Sequence, residues 1–228
     1  MIQLENISKT FALRSGHKTV IKDASIVFPS GRSVALLGRN GAGKSTLLDI
    51  IAGTIRPTQG QVISTGSVSY PVGFAGSFHP DLTGAQNTRF VARIYGIDTA
   101  ALIDFVAEFA QLGEHFHMPI RSYSAGMKAR LSFGVSMGIP FDTYLVDEVT
   151  SVGDGAFRRK SIAMLDDRRQ SAGAIIVSHS IPMIRRTCDM GAVLENGVLR
   201  IFDNLEEAIE RHEQNLRGSE FYLQESLA

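Results

Sequence analysis

The amino-acid sequence predicts an α/β fold with a mostly parallel core sheet, an N-terminal antiparallel β subdomain and an inserted helical subdomain. Three apolar runs, at 33–37, 143–146 and 174–177, have the length and composition of buried strands. A helical pattern follows the first run, and three more helical patterns precede the second. Alternation of strands and helices is typical of parallel sheets, whereas residues 1–28 alternate apolar and polar side chains as antiparallel strands do.

Composition indicates one globular domain. The chain has 228 residues, of which 44% are hydrophobic and 20% are charged. This length suits a single domain with two lobes, which we place at about 1–74 with 140–228 (core lobe) and at about 75–139 (helical lobe). The single cysteine, Cys188, excludes an internal disulfide bond and fits a reducing compartment.

Charge and hydropathy argue against two kinds of partner surface. Lys and Arg together number 23, as do Asp and Glu, so the basic excess of nucleic-acid-binding proteins is missing and we expect no nucleic-acid partner. No apolar run approaches the ~18 residues of a membrane span. Residues 1–6 lack the charged and apolar regions of a signal peptide. The sequence therefore predicts a soluble, intracellular protein.

The individual elements follow from local patterns. The helical spacing of Leu102, Val106 and Phe109 predicts a core helix, and Asn196-Gly197 is a strong hairpin signal. In order, we expect strands within 1–28 around a turn at 14–18, strand 33–37, helix 47–52, strands 61–64 and 67–70, helices 84–95, 99–112 and 124–137, strand 143–146, helix 155–170, strand 174–177, helix 181–188, strands 192–194 and 198–201, and a helix from Leu205.

A glycine-rich loop after the first buried strand predicts a phosphate site. It fits the pattern G-x-x-x-x-G-K-[ST] of P-loop proteins, with Lys44 and Ser45 in the last two places. Its glycines let the backbone turn tightly, so that successive N–H groups and the positive end of the next helix face an anion. Lys44 would contact the β and γ phosphates, and the Ser45 hydroxyl would bind Mg²⁺. The predicted nucleotide-binding residues of the loop are Gly38, Arg39, Asn40, Gly41, Ala42, Gly43, Lys44, Ser45 and Thr46.

Polar residues at the ends of the later strands predict catalysis at this site. Asp147 ends the second buried strand, where its carboxylate can hold Mg²⁺ through the water shell, beside Ser45. Glu148 comes next and can polarise a water for attack on the γ phosphate. His179 follows the third buried strand and can donate to the γ phosphate. The alternatives are an ordinary acidic pair and a structural histidine. The nearby P-loop favours a catalytic role for the acidic pair, and the place at a strand end favours one for His179.

The other histidines form no predicted site. We expect them in loops or facing solvent, and no carboxylate or cysteine completes a metal cluster with His115 and His117. They are His17, His79, His115, His117 and His212.

A second anion site is predicted where a helix begins at Ser124. The helix N-terminus offers exposed N–H groups beside the serine hydroxyl, although serine and glycine together are common at any helix start. Together with the P-loop and the strand-end carboxylates, this motif resembles the nucleotide-binding subunit of ATP-binding-cassette (ABC) transporters. The spacing of Ser124, Asp147 and His179 is similar to that of the family, and the likeness covers nearly the whole chain.

The resemblance implies a role for each motif. Residues 38–46 correspond to the Walker A loop, residues 144–147 to the Walker B strand, and Glu148 to the catalytic base. His179 corresponds to the switch histidine, and Phe11 falls where an aromatic ring stacks on adenine.

The resemblance also implies an ATP sandwich between two copies of the chain. Residues 124–127 correspond to the signature motif, which caps the partner's ATP through Ser124 and Gly126, and residues 151–154 correspond to the D-loop. We therefore expect a head-to-tail homodimer that binds ATP and Mg²⁺, with Lys44 of one copy facing Ser124 and Gly126 of the other.

Three departures distinguish this chain from the usual ABC pattern. Tyr123 and Ala125 replace the leucine and first glycine of Leu-Ser-Gly-Gly-Gln, and Met127-Lys128 replaces its glutamine and the next residue. The glutamine of the Q-loop is missing, since its position falls near Phe74 and Gln86 lies too far along the chain.

With these departures, the chain resembles the capsular-polysaccharide exporter ATPases of Gram-negative bacteria. The stretches that carry this likeness are 70–76, 82–84, 118–120, 124–127 and 146–149. The resemblance implies ATP-driven export of polysaccharide through a separate integral membrane permease, docked at about 71–90. It places the chain peripherally at the cytoplasmic face of the inner membrane.

Alternative functions come from related classes. ATPases that export O-antigen or teichoic acid share much of the pattern, and we expect the end at Ala228, without an added carbohydrate-binding domain, to favour the capsule class. An ABC-type ATPase acting on DNA or ribosomes would add a coiled coil or a second cassette and basic surface. The order of Ser124 and the strand carboxylates argues against a P-loop kinase or GTPase.

Overall fold

The computed structural model describes residues 1–14, 16–73, 78–147 and 154–225, and for 218–225 it gives the helix without side-chain detail. Within these ranges the strands are β1 (Ile2–Leu13), β2 (Gly16–Phe28), β3 (Ser33–Leu37), β4 (Gln59–Ser64), β5 (Val68–Pro71), β6 (Thr143–Asp147), β7 (Gly173–Val177), β8 (Met190–Glu195) and β9 (Val198–Phe202). The α-helices there are α1 (Lys44–Ile51), α2 (Gly84–Tyr95), α3 (Thr99–Ala110), α4 (Ala125–Gly138), α5 (Gly155–Arg168), α6 (Ile181–Thr187) and α7 (Leu205–Glu225).

The chain divides into two compact units. Unit 1 comprises Met1–Val68, Asp142–Glu148 and Ala172–Ala228. Unit 2 comprises Ser69–Phe141 and Val149–Ser171. Among the described residues, no helix is both long and apolar enough to cross a membrane.

An antiparallel sheet forms the N-terminal part of unit 1, with strand order β2-β1-β4. A bulge in β1 turns Asn6 into the left-handed region (φ 51°), so that Leu4 and Ile7 both point into the core. The prediction of antiparallel strands over 1–28 is confirmed. The turn is shorter than predicted, because strand pairing already begins at Gly16.

The parallel core sheet also belongs to unit 1, where its strands have the order β6-β7-β3-β8-β9. The first four are mutually parallel, whereas β9 is antiparallel to β8. The hairpin turns at Asn196 (φ 51°) and Gly197 (φ 83°), the two left-handed positions of a type I′ turn. The predicted fold class, with a mostly parallel core sheet and an N-terminal antiparallel β region, is confirmed.

Helix α1 packs its apolar side against this sheet. Leu48 is fully buried in one cluster with Leu36 of β3 and Leu145 of β6, and such burial contributes about 1.5–3 kcal/mol for each side chain. The helix begins at Lys44, three residues earlier than predicted, because Gly43 takes the N-cap position with a left-handed backbone (φ 107°). The packing fixes the glycine-rich loop between two rigid elements.

Unit 2 contains α2 to α5 around an aromatic cluster. Phe109 stacks on Phe105 and Phe133, with ring centroids 5.8 Å apart in both pairs, and meets the edge of Phe157 at 5.4 Å. Helix α2 has the predicted bounds, and α2 to α4 lie between β5 and β6 in the chain, as the predicted helical insertion requires. Side-chain oxygens cap the four helix starts, and they belong to Thr83, Asp98, Ser124 and Asp154.

Candidate nucleotide-binding site

The carboxyl ends of the parallel strands meet at one edge of the unit 1 sheet. Asp147, the last residue of β6, is in register with Val177, the last residue of β7. Leu37 at the end of β3 is in register with Val193 near the end of β8. Ligands of open α/β sheets bind at this edge. The sheet therefore brings the loop after β3 to the same edge as Asp147 and the residues after β7.

The loop after β3 holds its lysine across its own backbone. Lys44 Nζ donates to the carbonyl oxygens of Gly38 (2.7 Å) and Arg39 (3.0 Å). Gly41 has a left-handed backbone with φ 75°, which an L side chain rarely adopts. These contacts curl the loop around the half-buried ammonium group. The charge of Lys44 and the positive end of the α1 dipole therefore lie together, and both favour an anionic ligand.

Two glycines of the loop lie close to other strands of unit 1, and the packing requires the first of them. A Cβ atom at Gly38 would lie 2.6 Å from the carbonyl oxygen of Leu194 in β8. A Cβ atom at Gly43 would lie 3.2 Å from the carbonyl oxygen of Val20 in β2. The loop is thus wedged between these strands, and its shape follows from the unit's own fold.

A cavity of about 440 Å³ opens beside the loop, all within unit 1. Among the described lining residues, Lys18, Lys22 and Arg39 carry positive charge and Glu195 carries negative charge. The excess of cations favours an anionic ligand. The whole lining comprises residues 18–20, Lys22, residues 38–42, residues 194–197, His212 and Asn215.

The strand-end residues predicted for catalysis lie at the same edge. Asp147 is half-buried, and His179 is exposed two residues beyond the end of β7. Ser45 is exposed in the first turn of α1, and α1 contacts β6. A hydroxyl and a carboxylate are oxygen ligands of the kind that Mg²⁺ prefers. Their assignment as metal ligands stays a prediction, as does the role of His179.

Phe11 lies on the antiparallel sheet next to the cavity wall. It is paired across the strands with Lys18, which lines the cavity. Its ring is partly exposed, and Lys9 Nζ lies 5.0 Å from the ring centroid. The ring therefore has an open face near the cavity, and adenine stacking stays a prediction.

Several predicted residues lie outside the described ranges. Glu148, the predicted base, follows Asp147 directly but is not described. The same holds for Phe74 at the Q-loop position and for residues 151–153 of the predicted D-loop. Asp154, the last D-loop residue, caps α5 by accepting from the N–H groups of Ala156 and Phe157.

The predicted signature residues form a capped helix start in unit 2. Ser124 accepts a hydrogen bond from the Met127 N–H at 3.2 Å, and its side chain is exposed. Gly126 is exposed as well, and a Cβ atom there would meet just Ser124 Oγ, at 3.9 Å, among the described atoms. The described residues of unit 2 therefore leave room at this glycine, and contact with a nucleotide stays a prediction.

One departure from the usual ABC pattern has a structural explanation, and Gln86, too far along the chain for the Q-loop position, has a structural role. Tyr123 is 5% exposed and donates its hydroxyl to the His115 carbonyl at 2.5 Å, so it fills a core position that leucine could not satisfy in the same way. Burial raises the pKa of this hydroxyl. Gln86 forms a capping box with Thr83, since each accepts from the other's backbone N–H at 3.0 and 2.9 Å. Gln86 is thus engaged at the start of α2.

One histidine was assigned to the wrong environment from the sequence. His212 was predicted in a loop or facing solvent, but it lies in α7, is half-buried and lines the cavity. The sequence contained a signal, because the apolar residues Leu205, Ala208 and Ile209 recur at helical spacing and His212 is next on the same face. These three residues are buried in the structure. His17, His79, His115 and His117 are exposed, as predicted.

Comparison with known proteins places this site in a family. The family described as ABC transporter matches residues 21–151. The polysialic acid transport ATP-binding protein KpsT of Escherichia coli is 44% identical over 215 residues, covering 93% of this chain and 96% of the relative. The capsule polysaccharide export ATP-binding protein CtrD of Neisseria meningitidis serogroup B is 42% identical over 210 residues, covering 92% and 97%.

A solved structure agrees at the level of the fold. A dimeric ATP-binding cassette in a post-hydrolysis state, bound to ADP and Pi, matches with a TM-score of 0.75 and 21% identity, covering 88% of this chain and 97% of that one. The fold, the P-loop at the sheet edge and the similar proteins all indicate the same family. The chain belongs to the ABC transporter family, as one of its ATP-binding ATPase subunits.

Proposed function

We propose that this chain is the ATP-hydrolysing subunit of an exporter of capsular polysaccharide. The main observation behind this proposal is the P-loop with Lys44 at the carboxyl edge of the sheet. The chain that contains it is 42% identical, over 92% of its length, to a capsule polysaccharide export ATP-binding protein. We further propose that residues 1–228 act as one ATPase domain, with a core lobe at about 1–74 and 140–228 and a helical lobe at about 75–139.

The chemistry proposed for the site is hydrolysis by positioning and charge stabilisation. The loop's N–H groups and Lys44 bind the phosphates, and His179 donates to the γ phosphate. Glu148 orients and polarises the attacking water, on the strength of its place directly after Asp147 at the strand end. Ser45 and Asp147 would hold Mg²⁺, which when bound neutralises charge on the phosphates.

The proposed active form is a head-to-tail homodimer with two ATP molecules between the subunits. Lys44 of one copy faces Ser124 and Gly126 of the other. The room at Gly126 supports this arrangement, since no described side chain other than Ser124 lies within 4 Å of where a Cβ atom would stand. ATP closes the dimer, and hydrolysis reopens it.

The proposed membrane partner is a separate permease that docks on unit 2 near residues 71–90. Phe90 and Ile94, one helical turn apart on α2, are 54% and 63% exposed. Together with Tyr70 they line an apolar groove within unit 2. Exposed apolar patches of this kind mark sites of protein association. Such docking would hold the chain peripherally at the cytoplasmic face of the inner membrane.

The proposal is tested in the cells that produce this protein. Glu148→Gln is introduced into the chromosome, with Glu108→Gln, an exposed carboxylate of α3, as the matched control. We expect the first variant to lose surface capsule, to accumulate polysaccharide inside the cell, and still to co-purify with an integral membrane protein. Loss of O-antigen or teichoic acid with the capsule intact would assign the chain to that class instead. Co-purification with DNA or ribosomes would contradict transport.

A further inference from the structure

Helix α7 forms one wall of the nucleotide cavity. Leu205, Ala208 and Ile209 are at most 9% exposed and pack toward the unit 1 sheet. A Cβ atom at Gly191 of β8 would lie 2.2 Å from Ala208 Cβ, so the helix approaches this strand closely. The buried face continues to His212, which lines the cavity together with residues 38–42 of the P-loop.

Two ion pairs fix the direction of this helix within unit 1. Arg185 of α6 makes a two-pronged contact with Glu206, with N–O distances of 2.8 Å in each prong. Arg211 pairs with Glu195 at the end of β8 at 3.0 Å. The second pair lies next to His212 in sequence and at the cavity rim. The helix thus carries His212 to the carboxyl edge where the P-loop lies.

The imidazole of His212 has hydrogen-bonding capacity to spare. Its Nδ1 atom is buried, and the described part of the chain gives it no hydrogen-bond partner. A buried nitrogen without a partner costs free energy unless a ligand or water satisfies it. The lining beside it carries Lys18, Lys22 and Arg39. These cations favour an anion in the cavity, and such an anion would give the protonated imidazole an acceptor.

The charges that face His212 come from four elements. Burial lowers the pKa of its imidazole, and so do Lys44 of α1 and His179 after β7, whereas Glu213 of α7 and Glu195 of β8 raise it. Glu195 is itself paired with Arg211. Lys44 and His179 are the two groups assigned to the nucleotide phosphates, so His212 lies within electrostatic reach of both.

We propose that His212 is a nucleotide-binding residue, which contacts the polyphosphate held by the P-loop and takes up a proton from solvent when the nucleotide binds. This inference rests on the proposed function, because it assumes that the P-loop holds a nucleoside di- or triphosphate. It adds a group from the C-terminal helix to the phosphate site, and it makes nucleotide affinity dependent on pH.

The sign of this dependence follows from linkage. Phosphate anions raise the pKa of His212 in the bound state above that of the free state. Its contribution to binding is fully present below the free-state pKa and is lost as pH rises through the bound-state pKa. ATP should therefore bind this chain more tightly at about pH 6 than at about pH 8.5 through His212.

The test is ATP and ADP binding to the full chain by titration calorimetry, at about pH 6 and about pH 8.5. His212→Gln is compared with wild type, with His117→Gln, an exposed histidine of unit 2, as the matched control. The ratio of the two dissociation constants cancels the titration of the nucleotide itself. Repeating each titration in two buffers of different ionisation enthalpy measures proton uptake.

We expect His212→Gln to weaken binding about tenfold at the lower pH and less than about twofold at the higher pH, the scale of one charge-assisted hydrogen bond. Proton uptake should fall with it, while the control stays at the wild-type values. His212→Lys, which keeps a cation, should restore affinity and remove the pH dependence. This rescue separates phosphate binding from a packing role, since lysine does not reproduce the shape of an imidazole.

The inference is overturned if His212→Gln binds both nucleotides as wild type does at both pH values, or if it weakens binding equally at both without changing proton uptake. Lys44→Ala is measured in parallel, so that a failure of the proposed function can be distinguished from a failure of the role of His212. Loss of binding in Lys44→Ala with normal binding in His212→Gln would overturn only the role of His212. Normal binding in Lys44→Ala would overturn the proposed function itself.

Discussion

The P-loop in unit 1 and the helix start at Ser124 in unit 2 are both predicted anion sites built from glycine and a helix N-terminus, yet the surroundings of their glycines differ. Gly38 is required by its own unit, because a side chain there would collide with the Leu194 carbonyl at 2.6 Å. A Cβ atom at Gly126 would meet just Ser124 Oγ, at 3.9 Å, among the described atoms outside the backbone of its own helix. The P-loop takes its shape from its own unit, whereas the helix start at Ser124 has room, among the described residues, for the ligand that we propose another chain brings.

Substituting one lysine in each unit should give the largest difference between the two units. Lys44 Nζ donates to two carbonyls of the P-loop, and Lys160 Nζ donates to the carbonyls of Glu108 and Phe109 at 3.2 Å in unit 2. Lys44→Ala should lower the ATPase rate at least about 100-fold, because a preorganised charge at the phosphates is lost. Lys160→Ala should leave that rate within about twofold and lower only stability. Steady-state phosphate release and thermal unfolding measure both.

Equal loss of ATPase activity in both lysine variants would contradict the difference between the two units. It would indicate that the P-loop lysine acts through stability alone.

The two glycines give the next largest effect, with opposite outcomes. Gly126→Ala should lower ATPase activity about tenfold or more by blocking the approach of a phosphate, while stability stays the same or rises by up to about 1 kcal/mol because alanine favours the helix. Gly38→Ala should lower the free energy of unfolding by about 1–3 kcal/mol through overpacking. Chemical denaturation and phosphate release separate the two. A normal ATPase rate in Gly126→Ala would refute the signature assignment.

Adenine stacking should contribute less. Phe11→Ala is expected to raise the dissociation constant of ATP about 2–10-fold, the scale of one aromatic stacking contact. Phe90→Ala removes an equally large ring that is 54% exposed in unit 2 and should leave ATP binding unchanged. Fluorescence titration with a labelled ATP analogue measures both. Identical affinities in the two variants would place adenine elsewhere.

The smallest effect concerns the tyrosine that replaces the signature leucine. Tyr123→Phe removes the hydroxyl that donates to the His115 carbonyl at 2.5 Å. The free energy of unfolding should fall by about 1 kcal/mol, while ATPase activity stays within about twofold. Urea denaturation and phosphate release test this. A large loss of activity at unchanged stability would mean that Tyr123 contacts the nucleotide.

The sequence predicted those features that local signals determine. Helix α2 matches residue for residue, because Thr83 and Gln86 form its capping box and Gly96 ends it in a left-handed conformation (φ 65°). The parallel strands were recognisable as apolar runs, and the P-loop as a spaced motif. The residues that begin and end α2 can be recognised from the local sequence alone.

The features missed by sequence reasoning depend on tertiary packing. His212 was predicted in a loop or facing solvent, and the close packing of Ala208 of α7 on Gly191 was not predicted. The role of Tyr123 depends likewise on the His115 carbonyl across a turn. Helical spacing marked the side of α7 that carries His212, but no local pattern shows which strand covers that side or which carbonyl the Tyr123 hydroxyl contacts.

The central claim is that the chain supplies two halves of a shared ATP site. The most direct test is light scattering of Glu148→Gln with ATP and Mg²⁺, because removing the base should stop turnover and trap the closed form. The account predicts that the mass doubles from 24.8 kDa with ATP and stays single with ADP or when Gly126→Ala is added. A Glu148→Gln variant that binds ATP and remains a monomer, alone and with its membrane partner, would contradict the account.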